Sequence, residues 1–141
     1  MDQMKRKHSA IGRLALYAAL ATGLGWTHAD SGPSVRQDLP AGVSAQTVAR
    51  GDTIFHGSGF CYNCHGSDGG GMAQLGGNLT DATWRHNDGS FEGLVQVINA
   101  GVSAERSSSG VPMPPRGAAR LSGDEVRAVA AYVWLLSRGG T

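Results

Sequence analysis

The sequence has 141 residues, 16% of them charged, and a formal net charge of +1, which allows one domain of ordinary size. The positive excess lies at the start: from residue 30 onward eight arginines face ten acids, no lysine occurs, and the formal charge is −2. That balance excludes the basic face a nucleic-acid binder needs and offers no polybasic patch for lipid.

The first 29 residues read differently from the rest. Lys5, Arg6, Lys7 and Arg13 form a basic head, a 13-residue apolar run covers Leu14 to Trp26, and Thr27-His28-Ala29 forms a small-residue box. A membrane span needs about 20 apolar residues, so this pattern reads as a secretory signal peptide cut after Ala29, with an uncleaved anchor as the alternative. Ala19-Leu20-Ala21 is a second candidate box, but cutting there leaves too short an apolar middle. Export to the periplasm is the expected consequence. Of the 112 residues after Ala29, 19 are glycine, more than double the usual ~7%. Little of the chain is then left for helices, and so small a domain has a modest core of its own. An apolar group from outside the sequence would help it fold.

Residues 30–43 read as a flexible leader, residues 44–138 as the domain and 139–141 as a tail. The first helix is predicted from Ser44 as N-cap to about His56, with Val48, Phe55 and Asp52 setting its faces. Gly51 in its middle lowers helix propensity by about 1 kcal/mol relative to alanine, a cost that makes sense where another backbone passes close by.

The motif Cys61-Tyr62-Asn63-Cys64-His65 follows, and it holds the only two cysteines of the chain. A disulfide redox pair would come with strand–helix–strand patterning, which is missing. Structural zinc wants four ligands, commonly as two separated pairs, and the second pair is missing. Covalent haem attachment has Cys-x-x-Cys-His as its signature. Each thiol adds across one haem vinyl group, the two-residue spacer fits one helical turn, and the histidine supplies an axial nitrogen. Cys61 and Cys64 are therefore read as thioether anchors of one haem c, and His65 as the proximal iron ligand.

Residues 66–90 read as loop, opened by Gly69-Gly70-Gly71. A second helix is predicted from Phe91 to about Ala100, capped by Ser90 and stopped by Gly101. Its stripe is Phe91, Leu94, Val95 and Ile98. Residues 102–120 read as loop again. The last helix opens on the capping box Ser122-Gly123-Asp124-Glu125, carries Val126, Val129, Ala130, Val133 and Leu136 on one face, and closes at Arg138 and Gly139-Gly140. No repeat, coiled coil or strand is predicted.

For the distal iron position the sequence offers Met113, Met72, His86 and His56. Met113 lies 48 residues beyond His65, past a full helix, in a loop stiffened by Pro112, Pro114 and Pro115. It is the expected ligand. Met72 is seven residues from His65 in a permissive loop and reads as a thioether filling a gap over the haem edge. His86 would give a bis-histidine site of lower potential, and otherwise faces solvent or a propionate. His56 reads as a packing or solvated side chain. Trp84 and Arg85 are candidate hydrogen-bond donors to the propionates, or ordinary loop anchors.

Residues ~44–138 resemble class I mono-haem cytochromes c, and are most similar to the small bacterial periplasmic domains of that family. The resemblance rests on "CYNCH" after a short helix with Gly51 and Phe55, on "GSDGGG", on "NLTDATWRHNDGSFEGLVQVINAGV", and on "MPP" before a final helix containing "VAAYVWLLS". It implies an all-α fold of three main helices and glycine-rich loops around one covalent haem. It also implies that the first helix crosses the last, with Gly51 and Phe55 meeting Tyr132 or its neighbours, and that Met113 is the distal ligand. Many members carry a proline shortly after the haem histidine, whose carbonyl takes the ring N–H. Here Gly66-Ser67-Asp68-Gly69 follows, so another carbonyl must orient His65.

These residues point to an electron-transfer protein of the respiratory chain rather than an enzyme, with redox proteins as partners. Two other readings remain open: an electron-accepting subunit of a larger dehydrogenase or oxidase, and a haem ligand-binding or peroxidase-like protein with a displaceable distal ligand.

Overall fold

The computed structural model describes residues 39–140. The expected signal peptide, most of the expected leader and Thr141 lie outside those residues. Among the described residues four α-helices form, α1 (Ala45–His56), α2 (Tyr62–His65), α3 (Phe91–Ala100) and α4 (Gly123–Leu136), with a short 3-10 turn at Pro115–Ala118. Among the described residues there is no sheet. Two isolated antiparallel bridges, Met72 with Gly76 and Val102 with Met113, tie down the loops.

The three long helices begin where side chains can satisfy their first backbone donors. Ser44, Ser90 and Ser122 hold extended backbone and accept from the amides of Thr47, Gly93 and Glu125 respectively. At α4 the Glu125 carboxylate also accepts from the Ser122 amide at 2.9 Å, closing the predicted capping box. At α1 the reciprocal partner is Thr47. Each such cap contributes about 1 kcal/mol.

The core follows from the apolar stripes. In α1 Val48, Gly51, Ile54 and Phe55 are buried, while Asp52 faces solvent. In α3 Phe91, Leu94 and Ile98 are buried, with Val95 half-buried. In α4 the predicted face is buried and so are Ala128 and Ala131. The helix has neighbours on two sides: it packs against α1 and against α3. Ala128 lies against α1. A Cβ on Gly51 would fall inside the Ala128 carbonyl and 2.9 Å from Tyr132 Cβ. The two helix backbones therefore touch at this point, and the Phe55 and Tyr132 rings meet alongside it at 5.2 Å between centroids. Leu39 and Val43, within the segment expected as leader, pack against the same core. On the surface Arg127 of α4 makes a two-armed ion pair with Glu92 of α3 at 3.0 and 3.2 Å and lies over the Phe91 ring. Exposed pairs of this kind contribute little.

The crossing yields a test whose sign opposes helix propensity. Gly51→Ala adds a better helix former, worth about 1 kcal/mol on propensity alone. We nevertheless expect it to destabilise the protein by about 1–3 kcal/mol, because the added methyl must push two backbones apart. Gly123→Ala, in open space at the first turn of α4, should be neutral or slightly stabilising. Denaturant unfolding of the two variants decides, and a stabilised Gly51→Ala would show that the helices do not touch there.

Candidate functional site

Between the helices and the loops lies a cavity of about 760 Å³. Buried apolar side chains line it: Phe55 from α1, Leu94 and Ile98 from α3, Val129 and Val133 from α4. Cys61, Cys64 and His65 line the same cavity, and so does Met113 from the loop before α4. Trp84, Arg85 and His86 contribute a more polar part of the wall. Among the described residues, the large apolar side chains most exposed to solvent, Phe60, Met72, Leu75 and Val111, are also lining residues.

The chain reaches Cys61 through a tight reversal. The amides of Gly57 and Gly59 both donate to the Ile54 carbonyl, at 3.2 and 2.8 Å, and Phe60 takes a left-handed conformation with φ 53°. The next residues wind into the single turn α2, where the His65 amide donates to the Cys61 carbonyl at 3.0 Å. Gly66, with φ 79°, ends the turn. The following loop is built from hydrogen bonds. Gly71 donates to the His65 carbonyl at 2.7 Å, Leu79 to Gly69 at 2.8 Å, and the Gly70 amide to the Asp68 carboxylate at 2.9 Å.

That loop supplies the carbonyl that orients the histidine. His65 Nδ1 lies 2.8 Å from the Gly77 carbonyl, so Nδ1 carries the proton and Nε2 keeps its lone pair. Burial lowers the His65 pKa, and the bond to Gly77 opposes that in part. The ring is thereby kept neutral, the form that binds a metal. Gly76 explains how the loop comes so close, because a Cβ there would sit 2.5 Å from the Cys64 carbonyl.

The thiols have the character of anchors. Both cysteines are free and half-buried. Burial pushes the Cys61 thiol up to about 11, the reverse of the lowered value a redox-active Cys-x-x-Cys needs. Among the described residues no group of three or more His, Cys, Asp or Glu side chains converges as metal ligands would. The cavity lies within the ~300–1,000 Å³ range of cofactor sites. Two thiols, a neutral imidazole with one nitrogen tied, and apolar walls fit a covalently attached haem.

Of the candidates for the distal position, Met113, Met72 and His86 line the cavity. Met113 is half-buried, and its amide and carbonyl both bond to Val102, at 2.9 and 2.8 Å. A Cβ on Gly101 would fall against the Met113 carbonyl and 2.8 Å from the Pro115 nitrogen, so the helix stop is also the surface on which the methionine loop lies. Met72 is 43% exposed. His86 is half-buried and also borders a smaller polar groove beside the start of α3.

His56 does not line the cavity. Its Nδ1 lies 2.8 Å from the Asp52 carboxylate, and its Nε2 lies 2.7 Å from the Ser67 carbonyl. Both nitrogens act as donors only in the imidazolium, so His56 latches the end of α1 to the loop behind His65. Its ring stacks with Tyr62 and meets Phe55 and Tyr132 edge-on. Sequence reasoning missed this role; the signal available was the Asp52–His56 spacing of four.

Two tests follow. Gly76→Ala should lower haem incorporation and stability, by about 1–3 kcal/mol for the forced backbone shift, while Gly77→Ala, with nothing within 4 Å of the new methyl, should be tolerated. Equal behaviour of the two would refute the close approach to Cys64. The latch predicts a pH dependence. The Ser67 carbonyl, then Asp52, raises the His56 pKa above its ordinary 6.5 against a partial lowering by burial. The stabilisation is therefore complete below that ordinary value and fades as pH rises through the raised one. His56→Gln should cost more thermal stability at about pH 5.5 than at about pH 8.

Comparison with known proteins gives a consistent picture. Residues 46–133 match the family model described as "Cytochrome C oxidase, cbb3-type, subunit III". The cbb3-type cytochrome c oxidase subunit CcoP of Rubrivivax gelatinosus is 38% identical over 82 residues, which is 57% of this chain and 24% of that protein. Its counterpart from Rhodobacter capsulatus is 35% identical over 82 residues, 56% of this chain and 26% of the relative. The chain thus matches about a quarter of the length of these relatives. Among solved structures, cytochrome cL from Methylophaga aminisulfidivorans aligns with a TM-score of 0.50 at 24% identity, over 64% of this chain and 53% of that one. This likeness speaks for the fold, an all-helical cytochrome c arrangement without a sheet. With the motif, the cavity and the family match on the same residues, the chain belongs to the cytochrome c family of the cbb3-type oxidase subunit III kind.

Proposed function

We propose that this chain is a periplasmic one-electron carrier of the respiratory chain, holding one covalent haem c with His65 and Met113 as axial ligands. The observation that carries the reading is that Cys61, Cys64, His65 and Met113 line one apolar cavity. Haem iron, when bound, supplies a reversible one-electron couple. The protein's own residues do the rest. The Cys61 and Cys64 sulfurs fix the group to α2. The Gly77 carbonyl holds the His65 ring in one orientation and raises its basicity. The Met113 thioether favours Fe(II) and raises the potential relative to a second histidine. With His65 and Met113 as its ligands, a bound haem would be closed to substrate and would serve to exchange electrons. Trp84 and Arg85, in the polar part of the wall, are suited to the propionates. Apolar side chains at the cavity mouth, with no lysine after residue 30, suit a small, neutral docking surface and fast exchange with redox partners. The signal-like first 29 residues support export and cleavage after Ala29. Among the described residues no helix is long and apolar enough to cross a membrane.

A second reading has a specific observation behind it. The match to CcoP proteins supports a role as the electron-accepting haem subunit of a larger oxidase. Co-purification from periplasmic and membrane fractions separates a free carrier from a subunit.

The ligation is tested by spectroscopy of the purified holoprotein. Its mass should equal a chain beginning at Asp30 plus one haem, and acid–acetone should not extract the haem. The ferric protein should be low-spin, with the weak near-red sulfur-to-iron band, and the ferrous protein should bind carbon monoxide poorly. Met113→Ala should delete the band, open the site to carbon monoxide and lower the potential, whereas Met72→Ala and His86→Ala should change none of these. A high-spin wild-type protein that binds carbon monoxide readily would instead make the ligand-binding reading the leading one.

A further inference from the structure

Met113 is held through its own amide and carbonyl by two backbone bonds to Val102. After it stand Pro114 and Pro115, which have no amide to donate. The chain then turns through three left-handed residues, Arg116 (φ 55°), Gly117 (φ 66°) and Ala118 (φ 62°). Non-glycine residues keep that conformation only where the surroundings over-determine it. Here the surroundings are the Arg116 side chain's own partners. Its Nε donates to Asn99 Oδ1 of α3 at 3.0 Å, and its Nη1 donates to the Leu121 carbonyl at 2.6 Å. Neither acceptor is free to move: Asn99 Nδ2 donates back to the Val95 carbonyl at 3.1 Å, and Leu121 is buried at 4% exposure. The turn is also wedged against the cysteine segment. A Cβ on Gly117 would lie 2.6 Å from the Gly59 carbonyl and 3.9 Å from Cys61 Sγ.

We propose that Arg116 is a positioning residue for the distal ligand: its guanidinium clamps the methionine loop to α3 and to the entry of α4, and so sets how readily the Met113 thioether leaves the iron. The inference rests on the reading that Met113 is axial. The physical reason is a competition. A neutral thioether binds weakly, so its occupancy depends on how much conformational freedom the loop gains when the bond breaks. A loop already fixed in its ligating conformation gains little. Hydrogen bonds from an ionised donor are the strong kind, and Arg116 makes two to different elements. Lysine cannot reproduce the fork.

The test uses the full holoprotein and two readouts: the imidazole concentration that halves the near-red band of the ferric form, and the rate of carbon monoxide binding to the ferrous form. Arg116→Gln should lower the first and raise the second by about tenfold, the effect of one strong hydrogen bond's worth of loop fixation. Arg116→Lys should not restore either. Asn99→Ala, which removes one arm, should move both readouts in the same direction by less. Arg127→Gln, which breaks an exposed ion pair of α4 away from the methionine loop, should match wild type. An Arg116→Gln protein with a lower melting temperature but unchanged imidazole and carbon monoxide behaviour would reduce the clamp to a structural brace and overturn the proposal. Where Arg116→Gln fails to mature, Asn99→Ala decides, and unchanged readouts there overturn it equally. Failure of the axial assignment itself shows separately, as a Met113→Ala protein that keeps the near-red band.

Discussion

The rest of the structure depends on the contact between α1 and α4 at Gly51 and Ala128. A side chain at residue 51 would meet the Ala128 carbonyl directly, so the helices approach as closely as their backbones permit. The closeness has two consequences at the C-terminal end of α1. It sets Phe55 against Tyr132, with Phe55 fully buried and also lining the cavity. It also fixes where the chain leaves α1 to make the reversal at Gly57–Phe60 that delivers Cys61. A bulkier crossing would displace the cysteine turn from Val129 and Val133, the α4 residues that line the same cavity. Small residues at the crossing and larger ones around the cavity are two parts of one arrangement: little protein core, and space for a large apolar group.

Around that frame the loops are ordered by hydrogen bonds rather than by apolar burial. The segment from Gly66 to Leu79 contributes few buried side chains, yet its backbone donors and acceptors are used repeatedly in short-range bonds. Glycine allows this, since Gly66, Gly69 and Gly71 hold φ between 74° and 88°. The strain that is not assigned to glycine is also located at the cavity. Of the four non-glycine residues with positive φ among the described residues, three, Phe60, Gln74 and Arg116, line it. Such conformations persist where neighbours enforce them, and here the neighbours are the elements that hold the candidate ligands.

The parts legible in the sequence were those encoded in contiguous residues. Serine caps and the 3.6-residue stripes gave α1, α3 and α4 their limits, and Cys61, Cys64 and His65 announced the attachment chemistry. Gly51 in mid-helix signalled a close neighbour before the neighbour was known. What the sequence hid was carried by backbone atoms or by distant partners. The carbonyl that orients His65 belongs to Gly77, twelve residues on, and a carbonyl has no residue-specific mark. The trace left in the sequence was the pair Gly76-Gly77, the first of which must lack a side chain to pass Cys64. The Arg116 fork reaches Asn99, 17 residues away, and nothing in local spacing relates the two. His56 read as a packing or solvated side chain because its partner carbonyl at Ser67 arrives only after the chain has wound through α2.

The two candidate iron ligands are consequently held by different physics. His65 sits on a helical turn that also carries the two candidate anchors, Cys61 and Cys64, and the oxygen that fixes its ring comes from the loop that immediately follows. Proximal geometry is thus local and survives as long as that short segment does. Met113 depends on contacts between remote parts of the chain: Val102 beyond α3, Gly101 beneath its carbonyl, and the Arg116 bonds to Asn99 and Leu121. One further link crosses the cavity mouth, where Ser109 Oγ donates to the Leu75 carbonyl at 3.1 Å and joins the methionine side to the histidine side. Long-range contacts are lost together when helices shift, whereas a covalently anchored turn is not. In the proposed ligation the distal bond is therefore the one that reports the integrity of the whole fold, and the proximal bond reports only that the haem is attached.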